Sequence, residues 1–143
     1  MRYINLREDA EEIMLQGFEK FFRQCKSFLF QGEGAFTNYL KKAMINECLM
    51  FLRKRKIVFE EIDTDTLMQS PGETVIENLS SKEIFELIRR LPQGYRTVFN
   101  LFIMEQLSHK EISQLLGISE GTSKSQLSKA RILLQKMIKT NEK

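Results

Sequence analysis

Towards its C-terminal end the chain carries Thr122, Ser123, Lys124, Ser125 and Gln126, followed by Lys129 and Arg131. These side chains suit one kind of chemistry, directional hydrogen bonding to base edges and phosphates. A glutamine amide matches adenine, and a lysine ammonium matches guanine or phosphate. The small hydroxylated residues permit close backbone approach. Lys124, Gln126 and Lys129 are expected to point outward. Arg131, with Lys136 beyond it, is expected on phosphates, which set register and carry no sequence information. A second set lies in the first half: Phe36, Tyr39, Lys42, Asn46, Arg53 and Lys54. Aromatic rings beside cations hold unpaired bases by stacking and charge. Tyr39 is the stacking candidate, whereas Phe36 reads equally as a stacking ring or as core. The run Arg53-Lys54-Arg55-Lys56 also has a second reading, as cations at the negative end of a helix dipole.

Nothing comparable points to catalysis. His109 is the single histidine, placed at the start of a short helix with no serine or cysteine nucleophile implied beside it. It reads as a surface residue. Phosphate-cradling glycine loops after a strand are missing, and the scattered acids lack a framework that would fix their geometry. Cys25 and Cys48 form no CxxC and have no nearby histidine, so they read as buried reduced thiols and not as metal ligands. The expectation is no catalytic residue, no metal and no cofactor.

Both candidate sets must ride on helices. Asp9 to about Phe30 has apolar residues at spacings of three and four, with Asp9 and Glu12 placed like a capping box. Phe36 to about Lys56 is apolar on more than one side, as for a helix sandwiched between others. Four more helices are expected: Ser81–Arg90, Pro92 to about Gln106, Ser108–Leu116, and Ser119 to about Lys139. Tyr95, Val98, Phe99, Phe102 and Ile103 form the apolar face of the second of these. Ser108 and Glu111 make a capping box, and Gly117 stops the helix that follows. A short helix, a glycine turn and a second helix, with Ile112, Leu115, Leu116, Ile118 and Leu127 to lock them, read as a helix-turn-helix. A helical hairpin with a polar surface is the other reading of that pattern. In a helix-turn-helix the start of the second helix enters the major groove.

The charge distribution fits two binding modules. Residues 36–56 hold six bases against one acid, 57–79 hold six acids and no base, and 108–143 hold seven bases against three acids. Ordinary solvated helix faces would look similar; a basic–acidic–basic order is also what two nucleic-acid-facing modules on a linker require. The expected architecture is all-α, with two small helical domains joined by an acidic linker. Residues 1–56 form the first, 57–79 the flexible linker containing Pro71-Gly72, and 80–143 a four-helix domain with the helix-turn-helix. No signal peptide or membrane-length apolar run stands out, so a cytoplasmic protein without membrane insertion is expected.

The stretch Leu91-Pro92-Gln93-Gly94-Tyr95-Arg96-Thr97-Val98-Phe99, with Leu107 to Arg131, resembles region 4 of extracytoplasmic-function (ECF) sigma factors of the sigma-70 family. Asp9-Ala10-Glu11-Glu12-Ile13 with Phe18 and Phe22, then Gly32 to Phe36, Tyr39-Leu40, Asn46 and Leu52-Arg53-Lys54, resembles region 2. The resemblance implies promoter DNA and core RNA polymerase as partners, and admits an anti-sigma factor. It implies that Asp9, Glu12, Ile13, Phe18 and Phe22 grip polymerase. Region 4 would read a duplex −35 element, and region 2 would capture flipped bases of the −10 element. The sequence departs from the family in three places. About one more helix or helix pair usually precedes the position of Asp9, and without it an uncovered apolar face invites dimerisation. Tyr39 stands where many relatives have Trp, and Met50 where relatives often have an acid. Two other functions fit parts of the pattern: a shortened interaction protein that occupies polymerase or an anti-sigma factor without opening DNA, and an autonomous helix-turn-helix regulator.

Overall fold

The computed structural model describes residues 2–55 and 80–141. Among the described residues every regular element is helical, and the elements fall into two compact units. The segment expected to be the acidic linker, 57–79, lies outside the described residues.

The first unit is a helical pair. Helix α1 spans Arg7–Gln24 and α2 spans Glu33–Lys54. Asp9–Arg55, Gly17–Met44, Lys20–Glu47 and Gln24–Tyr39 are all contacts, so the two helices run antiparallel. Asp9 does not cap α1 as expected. Leu6 holds that position and Asp9 lies in the first turn. Its carboxylate instead takes both guanidinium nitrogens of Arg55, at 2.8 and 3.0 Å. Helix α1 also ends earlier than its apolar pattern suggests. A 3-10 turn, Cys25–Ser27, leads to extended backbone at Phe28. Leaving the helix lets Phe28 turn back onto Phe21, Phe36 and Tyr39, with ring centroids 6.2, 5.9 and 4.9 Å away. Gly32, at φ 104, starts α2 before Phe36 because only glycine takes that backbone freely. Ile13, Cys48, Leu49 and Leu52 are buried in this unit. Burial pushes the Cys48 thiol up to about 11, so it packs as a neutral group.

The second unit holds α3 (Ser81–Arg90), α4 (Gln93–Phe99), α5 (His109–Leu116) and α6 (Glu120–Asn141). Ser80 and Glu83 close a full capping box on α3, and Ser108 and Glu111 close another on α5. The serine bonds hold both exposed carboxylates below their ordinary range. Pro92 is the cap of α4 and not its first helical residue. Helix α4 continues as a π turn, Asn100–Met104. This wider turn alters the register expected of one long α-helix. Tyr95, Val98 and Leu101 are buried, Phe99 and Phe102 are half-buried, and Ile103 is left 40% exposed. Helix α6 packs across α3, α4 and α5. Its fully buried Ala130 meets Leu91 and Tyr95, with Phe99, Leu133, Leu134 and Met137 around them. A methyl at that position lets the helices approach closely.

Arg96 is the charged residue built into this core, at 1% exposure. Its Nη1 donates to the carbonyls of Arg89 at 2.7 Å and Leu91 at 3.2 Å, and its Nη2 donates to Gln93 Oε1. A guanidinium thus covers the negative end of α3 and fixes the corner into α4. Burial lowers its pKa from the ordinary arginine value, with repulsion from Arg89 adding to the effect.

Replacing Arg96 by Met should strand those carbonyls in the core. At about 1–3 kcal/mol for each unsatisfied buried group, this unit should lose about 2–4 kcal/mol. Arg96→Lys should recover only part, because an ammonium does not fork as a guanidinium does. Denaturant unfolding of the three proteins measures both effects, and a Met variant within about 0.5 kcal/mol of wild type would remove this role for Arg96.

Candidate nucleic-acid interface

The helix-turn-helix is built from local signals. Gly117 stops α5 in the left-handed region at φ 68, and its N–H and that of Ile118 both donate to the Ser113 carbonyl. Ser119 Oγ accepts the Thr122 N–H at 2.9 Å and caps α6. Ile112 is fully buried beneath the turn. Helix α6 therefore starts at a defined place and angle relative to α5.

Its roll decides which side chains can reach a partner. Gly121, Lys124, Ser128 and Arg131 are exposed, at steps of three and four, and make one outer stripe. Thr122, Ser125 and Lys129 flank it, partly exposed. Gln126 and Ser123, both expected among the base-reading residues, are not on it. Gln126 is 1% exposed and Ser123 is fully buried. They share the inner stripe with Leu127 and Ala130, and the period of an α-helix places all four on one side. Polarity had suggested otherwise for Gln126; its position, one residue before Leu127 and four before Ala130, was the better guide. Ser128 is the exposed residue that the sequence reading overlooked.

His109 also differs from expectation. It is half-buried, and its Nδ1 shares a hydrogen bond with Ser123 Oγ at 2.9 Å. Its ring stacks on Phe102, centroids 4.7 Å apart, and Arg131 lies over the other ring of that pair, Phe102, at 5.9 Å. Desolvation first, and then Lys124 and Arg131 against an opposing Glu120, hold the imidazole below its ordinary value.

In the first unit, Tyr39, Lys42 and Asn46 come together. They line a cavity of about 360 Å³ between α1 and α2, with Lys20, Phe21 and Gln24 contributed by α1. Tyr39 donates to Gln24 Oε1 at 3.5 Å, and Lys20 pairs with Glu47 at 2.6 Å. A concave site with two rings, two ammonium groups, two carboxamides and a carboxylate suits a planar polar ligand. Phe36 does not line it; it packs against Phe21, Phe28 and Phe30, which favours its core reading. Arg53 and Lys54 are exposed at the far end of α2, away from this cavity.

The five residues expected on polymerase also divide. Ile13 is buried at 1% and cannot offer a surface. Asp9 is engaged by Arg55. Glu12 is exposed, as are Phe18 and Phe22. Leu15, 65% exposed, joins Phe18 and Phe22 in an apolar ridge at helical spacing, and it was missing from the expected set. Among the described residues no cluster of His, Cys, Asp and Glu is arranged to hold a metal, and no helix is long and apolar enough to cross a membrane.

Residues 81–134 match the family described as Sigma-70, region 4. The chain is 27% identical to the ECF RNA polymerase sigma-E factor of Haemophilus influenzae, over 96% of this chain and 78% of that one. It is 26% identical to the ECF RNA polymerase sigma factor SigW of Bacillus subtilis, over 92% and 76%. With the RNA polymerase sigma-H factor of Pseudomonas aeruginosa it shares 22% identity, over 96% and 77%.

The depressed imidazole gives the free protein a pH signature. The unfolded chain binds a proton at His109 near its ordinary value of about 6.5, and the folded unit binds it only at lower pH. Stability contributed at this site is therefore full above that value and falls as pH drops towards the folded value. Melting curves at about pH 7 and about pH 5.5 should show a smaller difference for His109→Gln than for wild type. An equal or larger difference in the variant would contradict the assignment.

Proposed function

We propose that the chain is an extracytoplasmic-function factor of the sigma-70 family, which directs core RNA polymerase to specific promoters and starts transcription there. It acts in the cytoplasm, on polymerase and promoter DNA, and supplies binding energy and no chemistry of its own. Residues 80–143 form the −35 module and 1–56 the −10 module, with 57–79 as the linker.

The observation that carries the reading is the outer stripe of α6. Lys124, Ser128 and Arg131 present two cations and a hydroxyl on one exposed face. That face opens at the turn that places the start of such a helix in the major groove. Lys124, near the helix start, contacts base edges, and Ser128 and Lys129 border it. Arg131 holds phosphate. One good base contact is worth about 1–3 kcal/mol of discrimination. Phosphate contacts add affinity that weakens as salt rises.

The cavity bounded by Tyr39, Lys42 and Asn46 takes an unpaired base of the −10 element. Stacking on a ring is worth about 1–3 kcal/mol per base, and Lys42 supplies positive potential for the strand, since Lys20 is paired with Glu47. Asn46 offers both donor and acceptor to a base edge. Leu15, Phe18 and Phe22, with Glu12 beside them, form the face that docks on polymerase.

Run-off transcription with purified core polymerase on a promoter library from the host tests this directly. Adding the chain should give discrete transcripts. Lys124→Ala should reduce them about tenfold or more. Tyr39→Ala should reduce open complexes about fivefold or more while leaving duplex −35 binding intact. Polymerase binding without any transcript would leave a protein that occupies polymerase only. Duplex binding without polymerase binding would make it an autonomous regulator.

A further inference from the structure

The single histidine sits where no base or phosphate contact is needed to explain it, yet it is tied to α6 through Ser123, on the inner stripe. Its ring is held on one side by Ser123 Oγ at 2.9 Å and on a face by Phe102 at 4.7 Å. The charged groups that act on it from α6 are Lys124, Arg131 and Glu120. Lys110 and Glu111 are its neighbours on α5. From the π turn the facing group is Phe102, which carries no charge. The imidazole thus feels the field of the two cations that the proposed function places on DNA, and Arg131 lies over the Phe102 ring on which it stacks.

We propose that duplex binding by the α6 face is proton-linked through His109, which takes up a proton as phosphate settles over Lys124 and Arg131. The inference rests on the proposed DNA-binding role of α6. In the free chain the two cations oppose a third positive charge nearby. A DNA phosphate neutralises them and adds its own attraction for an imidazolium. Both changes favour the charged ring, so its proton affinity rises in the complex. Linkage is reciprocal, so protonation strengthens DNA binding by the same factor that DNA strengthens protonation. The tether survives the change: Ser123 Oγ donates to a neutral Nδ1 and accepts from a protonated one. Phe102 also remains a favourable partner, because a cation over a ring face is attracted to it. His109 is a positioning residue for α6 in the neutral state and an added positive charge at the interface in the other.

Two measurements on the full chain decide this, with short DNA duplexes randomised at their centre as the probe and ionic strength held low and constant. The imidazole carbon-bound proton signals, unassisted by assignment because the chain has one histidine, are titrated by NMR with and without duplex. Duplex affinity is followed by fluorescence anisotropy between about pH 8 and about pH 5. The bound form should titrate at higher pH than the free form. Affinity should rise by about three- to tenfold per pH unit as pH falls through the region between the two values, and His109→Gln should remove most of that rise. Binding whose strength does not change with pH, or an imidazole that titrates alike in both states, overturns the proposal while leaving α6 as a DNA-binding helix. Absence of duplex binding at every pH overturns that role and this proposal together. The NMR titration uses the unaltered chain, so a poorly folded variant does not blunt the test.

Discussion

Ala130 lies fully buried between Leu91 and Tyr95, and that close contact sets the roll of α6. A larger side chain there would push α6 away from α4 or turn it. With the inner stripe of Ser123, Gln126, Leu127 and Ala130 facing the unit, Lys124, Ser128 and Arg131 are left outside. The exposed outer stripe is therefore a consequence of core packing. It is held at both ends: Ser119 caps the start of the helix, and Leu133, Leu134 and Met137 extend the packing along it. Arg96 acts one layer back, since it secures the corner between α3 and α4 that presents Leu91 and Tyr95 to Ala130.

The first unit relies on a different arrangement. Aromatic rings knit one end of its helices, and Gly17 leaves room for Met44 between them. Phe21, Phe28, Phe36 and Tyr39 contact one another edge-on or tilted, the arrangement favoured by ring quadrupoles. Tyr39 is therefore part of the cluster and part of the cavity wall at once. That double role keeps its ring oriented, and for the base proposed to bind there it would lower the entropy cost of capture. Lys20, paired with Glu47, is likewise held at the rim by an ion pair.

Local signals were legible in the sequence. The Ser108–Glu111 box, the Gly117 stop and the Leu127–Ala130–Ile138 inner face depend on neighbours within one helical turn, and each is where the residue pattern puts it. Two failures, at Asp9 and Phe28, come from partners on another helix. Asp9 looks like a cap until Arg55, on the other helix, claims it. Phe28 continues an apolar period but leaves α1 to join rings on α2. Gln126 and Ser123 look exposed because they are polar, whereas both are buried, and Ser123 also bonds His109. Of the candidate residues, Lys124 and Arg131 share an exposed face of α6, and Tyr39, Lys42 and Asn46 line one cavity, a grouping already suggested by their spacing. The full exposed set had to wait for the roll of α6.

The central claim is that promoter sequence is read by the outer stripe of α6 and not by its polar residues in general. It is tested most directly by profiling −35 preference in run-off transcription from a library randomised across that element, using wild type, Ser128→Gln and Gln126→Met. The account predicts that Ser128→Gln changes the preferred base at one position by about tenfold, the scale of one base contact. It also predicts that Gln126→Met keeps the wild-type preference whatever its effect on stability. A changed preference in Gln126→Met with an unchanged one in Ser128→Gln would contradict it.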